Sequence, residues 1–345
     1  MNLKIGKNKI LKDSKRTFII AEIAQAHDGS LGYAHSFIDI AKKCNADAIK
    51  FQIHSAEHES TLNEKFRIKM SSQYKSRYDY WKRMEFTLNQ WAELKKHCKE
   101  NSIEFMVSVF SDYAIDIARK LGLNNVKVAS GDFFNQVLIN NICASFDNIV
   151  ISTGMSLERE ILLMNEKLKR KKKNFAFLHC ISKYPSSLDT LCLDSIQRLK
   201  MKLKVPVGLS DHSGTVYPAI YAIAQNANLV EVHLSMDKNQ YGPDTSSSLT
   251  PKELELVTSF RDKFSIFEKK VSRDNIVKSI KHKDLFTRSL ALKSDRKKGH
   301  ILKKSDLTLK KPGTGIPFEK IKNVIGKKLV KNVSKKKLIR YDDIK

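Results

Sequence analysis

No apolar run in the 345 residues approaches the length a membrane-crossing helix needs, about 18 residues. The opening stretch MNLKIGKNKILKDSKR also lacks the apolar core of a secretory leader. The five cysteines (Cys44, Cys98, Cys143, Cys180 and Cys192) form no CxxC pair and are odd in number. That argues against a disulfide framework or a cysteine-rich zinc site, and a reduced cytoplasm is the expected location. With only 13 Gly and 7 Pro, the chain is not fibrous or low-complexity, and 41% hydrophobic residues suffice for a sizeable core. Acidic residues are the scarce charge: 37 against 63 basic ones, a net +26. Residues 281–345 alone hold 21 Lys or Arg against 6 Asp or Glu, whereas the other 280 residues carry only +11. Such a tail suits an anionic partner such as nucleic acid. Most of the lysines are scattered singly, however, as on a solvated surface, and a basic field also draws in small phosphorylated substrates.

What is present is a rhythm. Eight short β-rich apolar runs lie at 18–24, 48–54, 104–110, 125–130, 148–154, 175–182, 205–212 and 229–236. Helical patterns such as LGYAHSFIDIAKKCNA and SDYAIDIARKLGL, with apolar residues at i, i+3, i+4 and i+7, lie between most of them. Strand and helix alternating eight times predict an α/β fold, a (β/α)8 (TIM) barrel over residues 1–264. Residues 55–103 break the rhythm. Their charged, aromatic stretch FRIKMSSQYKSRYDYWKRMEF reads as an inserted loop on the active-site face, followed by a helix from about Leu88 to Glu100. A charged helical connector (265–284) leads to a small β-rich domain at 285–345, a size that is marginal alone.

Polar residues gather at the C-terminal ends of the runs, where barrel enzymes place their chemistry. Lys50 and Gln52 share parity on one strand and face the same way. Lys50 and Lys127 would lie inside the barrel mouth, where an unpaired ammonium is costly, so an anionic ligand is their expected partner. Ser130, Ser152, Ser182 and Ser210 supply neutral donors for a compact phosphorylated carboxylate. Glu22 ends the first run as a candidate acid, base or electrostatic partner. His212 and His233 end adjacent runs, and two imidazoles there suit either packed strand histidines or a metal ion with open positions. No Walker loop or GxGxxG precedes a helix, so no nucleotide site is indicated.

The segment AEIAQAHDGSLGYAHSFIDIAKKCNADAIKFQ resembles the opening motifs of the sialic acid (N-acetylneuraminate) synthases. The resemblance continues in order through KVASGD, ISTGM, LHCISKYP, VGLSDHSG, LVEVHLSMDK and YGPDTSSSLTPKEL. The tail, with KPGTGIP and VIGKKL, resembles that family's antifreeze-like (SAF) domain. The resemblance implies a condensation of phosphoenolpyruvate with an N-acetylated hexosamine such as N-acetylmannosamine, giving a nine-carbon 2-keto acid and phosphate. It implies that Glu22 is the catalytic carboxylate and that His212 and His233 hold Mn2+ or Mg2+. By the same resemblance Lys50, Lys127, Ser130, Ser152, Ser182 and Ser210 bind phosphoenolpyruvate. Gln52, Asp132, Tyr184 and Asp244 surround the sugar, and Lys311 of the SAF domain reaches the neighbouring site in a domain-swapped homodimer.

Four positions depart from the family's pattern. Ala26 replaces an Asn, Asp132 a Glu, Val232 a Lys between Glu231 and the second metal histidine, and Lys311 an Arg. Lysine cannot reproduce arginine's planar bidentate fork. The expectation is that metal and phosphoenolpyruvate chemistry persist while sugar recognition shifts. A synthase for legionaminic or pseudaminic acid is the alternative within the class. A basic nucleic-acid-binding protein on a retired barrel is the alternative outside it.

Overall fold

The computed structural model describes residues 3–68, 74–267, 269, 271–280 and 282–345. The chain divides into two compact units, residues 1–268 and 269–345. A short antiparallel hairpin opens the first unit, β1 (Leu3–Ile5) and β2 (Asn8–Ile10). Eight parallel strands follow: β3 (Phe18–Glu22), β4 (Ala48–Ile53), β5 (Glu104–Val109), β6 (Asn125–Val128), β7 (Asn148–Ser152), β8 (Asn174–His179), β9 (Val207–Asp211) and β10 (Leu229–Leu234). Each pairs with the next, and β10 pairs with both β9 and β3, which closes the barrel. A two-residue strand, β11 (Ser248–Leu249), pairs in parallel beside the C-terminal end of β10. The eight runs read from the sequence are these strands, each overrunning its strand by one to three residues at the C-terminal end, where the polar residues sit.

Alternation along the strands sorts the side chains into two environments. Ile19, Ala21, Ile149, Ile151, Val230 and Val232 point outward and join the helices in one large apolar layer. Phe18, Ile20, Ala48, Met106, Val150, Ala176, Leu178 and Leu229 point inward and fill the barrel's lower half. Leu3, Ile5 and Ile10 of the hairpin complete that inner cluster, so β1 and β2 plug the N-terminal end of the barrel. The sequence reading did not foresee the hairpin: two three-residue strands among lysines carry too little periodicity to register.

The helices of the first unit are α1 (Leu31–Lys43), α2 (Ala56–Glu59), α3 (Arg77–Met84), α4 (Leu88–Glu100), α5 (Asp112–Lys120), α6 (Gln136–Ser145), α7 (Glu158–Arg170), α8 (Ser195–Leu203), α9 (Tyr217–Ala224) and α10 (Pro251–Phe267). The insertion after β4 holds α2 and α3. Ser76 and Thr87 begin α3 and α4 with reciprocal capping boxes, which satisfy otherwise orphaned N-terminal amides. Residues 69–73 of the insertion lie outside the described residues, as do 268, 270 and 281 in and beside the connector. Part of the expected connector belongs to the barrel. α10 runs on to Phe267, and its buried Arg261 reaches Asp47 at 2.7 Å and Asp262 at 2.8 Å. The pair with Asp47 anchors the last helix to the start of β4. Among the described residues no helix is long and apolar enough to cross a membrane.

The second unit is built on an antiparallel pair, β12 (Ser289–Leu292) and β13 (Leu307–Lys310). Leu290, Leu292, Leu302, Ile316, Val324 and Ile339 make its small core. Asp306 accepts from Arg296, His300 and the Lys303 amide, and those bonds hold its carboxyl well below the usual carboxylate range.

Candidate active site

Above the apolar lower half, the barrel interior turns polar at the next inward residue of several strands. Register alone brings the key groups together: Glu22 pairs with Lys50 on one side and His233 on the other, and Glu231 pairs with Ser210. Lys50 Nζ makes a short ion pair with Glu22 Oε2, lies 3.7 Å from Glu231 Oε1 and donates to Ser108 at 2.9 Å. Lys127 Nζ lies 2.6 Å from Glu231 Oε1, which also accepts from Ser210 at 3.1 Å. Glu22 Oε1 accepts from Gln52 at 2.8 Å and from the Ala24 amide at 3.1 Å.

This network corrects the sequence reading of the lysines. Neither ammonium is unpaired, because two buried carboxylates face two buried lysines. Burial lowers the Lys50 pKa, only partly offset by Glu22 and Glu231. Burial acts the same way on Lys127, but the charges of Glu231 and Glu22 outweigh it and raise that pKa. Glu231 is held below the ordinary carboxylate value: burial would raise it, and the two lysines more than compensate. Glu231 was missed as a site residue, although its parity with His233 was a usable signal. Val232, between them, points into the outer apolar layer and does not face the site.

The floor retains unused bonding capacity. Glu231 Oε2, Ser152 Oγ and His233 Nδ1 are buried without a hydrogen-bond partner among the described residues. Beside them the Gly154 amide donates to Ser130 Oγ at 3.1 Å, and Ser130 Oγ lies 3.1 Å from Cys180 Sγ. A Cβ on Gly154 would stand 2.2 Å from Ser182 Oγ and 2.5 Å from Cys180 Sγ. Ser130, Ser182 and Gly154 thus form a hydroxyl-lined cradle open only because residue 154 has no side chain. Burial raises the Cys180 pKa, which keeps it a neutral thiol there.

His212 and His233 face each other with ring centroids 5.2 Å apart. The Nδ1–H of His212 donates to the Ile181 carbonyl at 3.2 Å, which leaves Nε2 as a lone-pair nitrogen, 3.1 Å from the Tyr184 hydroxyl. Burial, then the neighbouring His233, lowers the His212 pKa to about 3, so the ring is neutral at physiological pH. A neutral imidazole is the ligating form. The two facing rings, one with an orphaned nitrogen, fit a divalent ion. Among the described residues no cluster of three or more His, Cys, Asp or Glu side chains is arranged to hold one. Substrate and water would therefore complete the coordination.

Over this floor opens a cavity of about 630 Å3 within the first unit. Gln52, Asp132, Tyr184, Asp244 and His233 all line it, so the four barrel residues read as sugar-facing share one wall system. Burial raises the Asp132 pKa. The insertion and the neighbouring strand ends add residues that the sequence reading did not single out. Arg67 pairs with Asp244 and stacks over the Tyr184 ring at 4.6 Å. Trp81 and Phe110 stack on the two sides of His54, at 4.2 and 4.5 Å. Gln25, one residue before the departure at Ala26, donates to Gln52 at 2.7 Å. Lys311 belongs to the second unit, where its ammonium lies 5.4 Å from the Phe286 ring centroid.

The NeuB family model matches residues 37–271, and the SAF domain model matches residues 287–345. An N,N'-diacetyllegionaminic acid synthase of Campylobacter jejuni is 33% identical over 337 residues, covering 94% of this chain and 99% of that protein. The N-acetylneuraminate-9-phosphate synthase of Homo sapiens is 32% identical, covering 92% of this chain and 89% of its own. Among solved structures, the N-acetylneuraminic acid synthetase of Leptospira borgpetersenii matches with a TM-score of 0.71 at 27% identity. That match covers 83% of this chain and 97% of the other.

Proposed function

Because the chain belongs to the NeuB family, we propose that it condenses phosphoenolpyruvate with an open-chain N-acetylated amino sugar, giving a nine-carbon 2-keto acid and phosphate. The observation that carries this reading is the two-level barrel mouth. A charged floor with orphaned acceptors and a hydroxyl cradle lies beneath a polar, sugar-sized cavity.

In this reading the cradle of Ser130, Ser152, Ser182 and the Gly154 amide holds the phosphoenolpyruvate anion, with Lys127 and Lys50 beside it and Ser210 bracing Glu231. The two lysines are already matched by Glu22 and Glu231, so the floor offers no net positive charge to a multiply charged anion. Further cationic charge has to come from elsewhere. His212 and His233 would hold the divalent ion, Mn2+ or Mg2+, which supplies that charge and polarises the sugar aldehyde. The methylene carbon of the enol bonds to the aldehyde carbon, whose oxygen takes up a proton to become a hydroxyl; water adds at C2, and phosphate leaves with its bridging oxygen and the remaining water proton as the C–O bond breaks and the C2 ketone forms. Glu22, fixed by Lys50, Gln52 and the Ala24 amide, takes the proton of the incoming water. Gln52, Asp132, Tyr184 and Asp244 orient the sugar's hydroxyl and acetamido groups. Lys311 is assigned to the site of a second chain in a homodimer, on the strength of the KPGTGI resemblance.

A diacetamido sugar is the second reading for the acceptor, favoured by the similarity to the diacetyllegionaminic acid synthase. The insertion's Trp81 wall would suit a deoxygenated, methyl-bearing end. Phosphate release from phosphoenolpyruvate with Mn2+ and a panel of mono- and di-acetamido hexoses tests both readings. Release is expected with one acetamido class and not with the parent hexoses. No release with any sugar would reject the synthase reading.

A further inference from the structure

Four side chains that the proposed chemistry does not use face one another across α1 and α4. His35 and Asp39 are one turn apart on α1, and Glu93 and His97 are one turn apart on α4. Residues at i and i+4 share a helix face. The pairs cross between helices: His35 Nε2 lies 3.2 Å from Glu93 Oε1, and His97 Nε2 lies 3.0 Å from Asp39 Oδ1. Between them the two Nδ1 atoms stand 2.8 Å apart. The two imidazoles are 24% and 22% exposed, so water and small ions reach them.

The tautomers follow from the partners. An ionised carboxylate only accepts, so each Nε2 carries a hydrogen. A neutral imidazole has one N–H, so both Nδ1 atoms are then bare lone pairs aimed at each other. At 2.8 Å they repel unless a cation lies between them, either a proton or a metal ion. A carboxylate on the outer N–H of each ring is also how metal-ligating histidines are oriented and made more basic. We propose that His35 and His97 form a second metal site on the outside of the barrel, binding Zn2+ through both Nδ1 atoms. Glu93 and Asp39 orient the rings, and water fills the remaining positions. Nitrogen donors select Zn2+ over Mg2+, which prefers an oxygen shell. Zn–N bonds of about 2.0 Å at a tetrahedral angle separate two nitrogens by about 3.4 Å. Loading therefore parts the rings by roughly 0.6 Å, within reach of small side-chain rotations. The ion ties α1 to α4, the two barrel helices on either side of the insertion that lines the cavity.

The test is a calorimetric titration with Zn2+ alone, using the full chain carrying His212→Ala and His233→Ala so that the barrel-mouth imidazoles are gone. One Zn2+ per chain is expected, weakened at least 100-fold by adding His97→Ala and about tenfold by adding Glu93→Gln. No bound Zn2+, or binding that His97→Ala leaves unchanged, overturns the site. If the double variant does not fold, the wild-type chain is compared with His35→Ala. The Zn2+ stoichiometry must fall by one equivalent, and an unchanged stoichiometry overturns the proposal.

Discussion

Gly154 and His27 show how a single residue can govern ligand binding in one case and stability in the other. At Gly154 a methyl group would overlap Ser182 Oγ and Cys180 Sγ, in a cradle otherwise made of hydroxyls. Gly154→Ala is expected to raise the KM for phosphoenolpyruvate at least tenfold with a smaller change for the sugar, measured by phosphate release. His27 is buried against Phe86, and its Nδ1 accepts the Gly29 amide, which requires the neutral ring. Burial, then His54, lowers its pKa to about 3 from 6.5. As pH falls below 6.5 the unfolded chain takes the proton first, so this contribution to stability is full above 6.5 and is lost progressively towards pH 3. The slope is at most about 1.4 kcal/mol per pH unit. Urea unfolding at pH 7.5, 6 and 5 is expected to show a shallower acid slope for His27→Gln than for the wild type.

At the level of elements, the N-terminal hairpin matters more than its six strand residues suggest. Leu3 and Ile5 are fully buried in the inner cluster beneath the charged floor. Ile5→Ala is expected to cost about 2–5 kcal/mol in chemical denaturation, as for other fully buried aliphatic truncations. The floor's side chains hang from strands that remain paired, so kcat at 25 °C should change little. A loss of kcat as large as the loss of stability would show that the hairpin also positions the floor. The insertion after β4 acts at the other end: α2 and α3 bring aromatic and charged side chains over the barrel mouth.

For the whole molecule, the proposed homodimer predicts that each second unit serves the partner's barrel. Heterodimers pairing a His212→Ala chain with a Lys311→Ala chain, each inactive as a homodimer, separate the two geometries. If tails serve the partner's site, one site collects both lesions and the other none. About half the wild-type activity per dimer is then expected, from the ratio of intact sites. No recovery from verified heterodimers would reject the exchange. Should Lys311→Ala prove mild, deletion of the second unit replaces it, provided the dimer persists.

The strands and most of their inward polar ends were legible in the sequence because alternation is a local rule: Lys50 and Gln52 share a face whatever packs above them. The β12–β13 unit was legible as a small, separate domain for a similar reason, a change of pattern after the last barrel helix. What no local rule could supply was pairing across strands. Lys50 and Lys127 read as ammonium groups awaiting an anion, yet barrel closure sets Glu22 and Glu231 against them. Arg261 had no legible partner in the sequence, and only the docking of α10 brings it onto Asp47. Arg67 and Trp81 gained a role only when the insertion folded over the mouth. Alternation along each strand sets which side chains face the barrel axis. Tertiary structure alone decided their charge partners, because electrostatic energy depends on distances of a few ångströms between residues far apart in the chain.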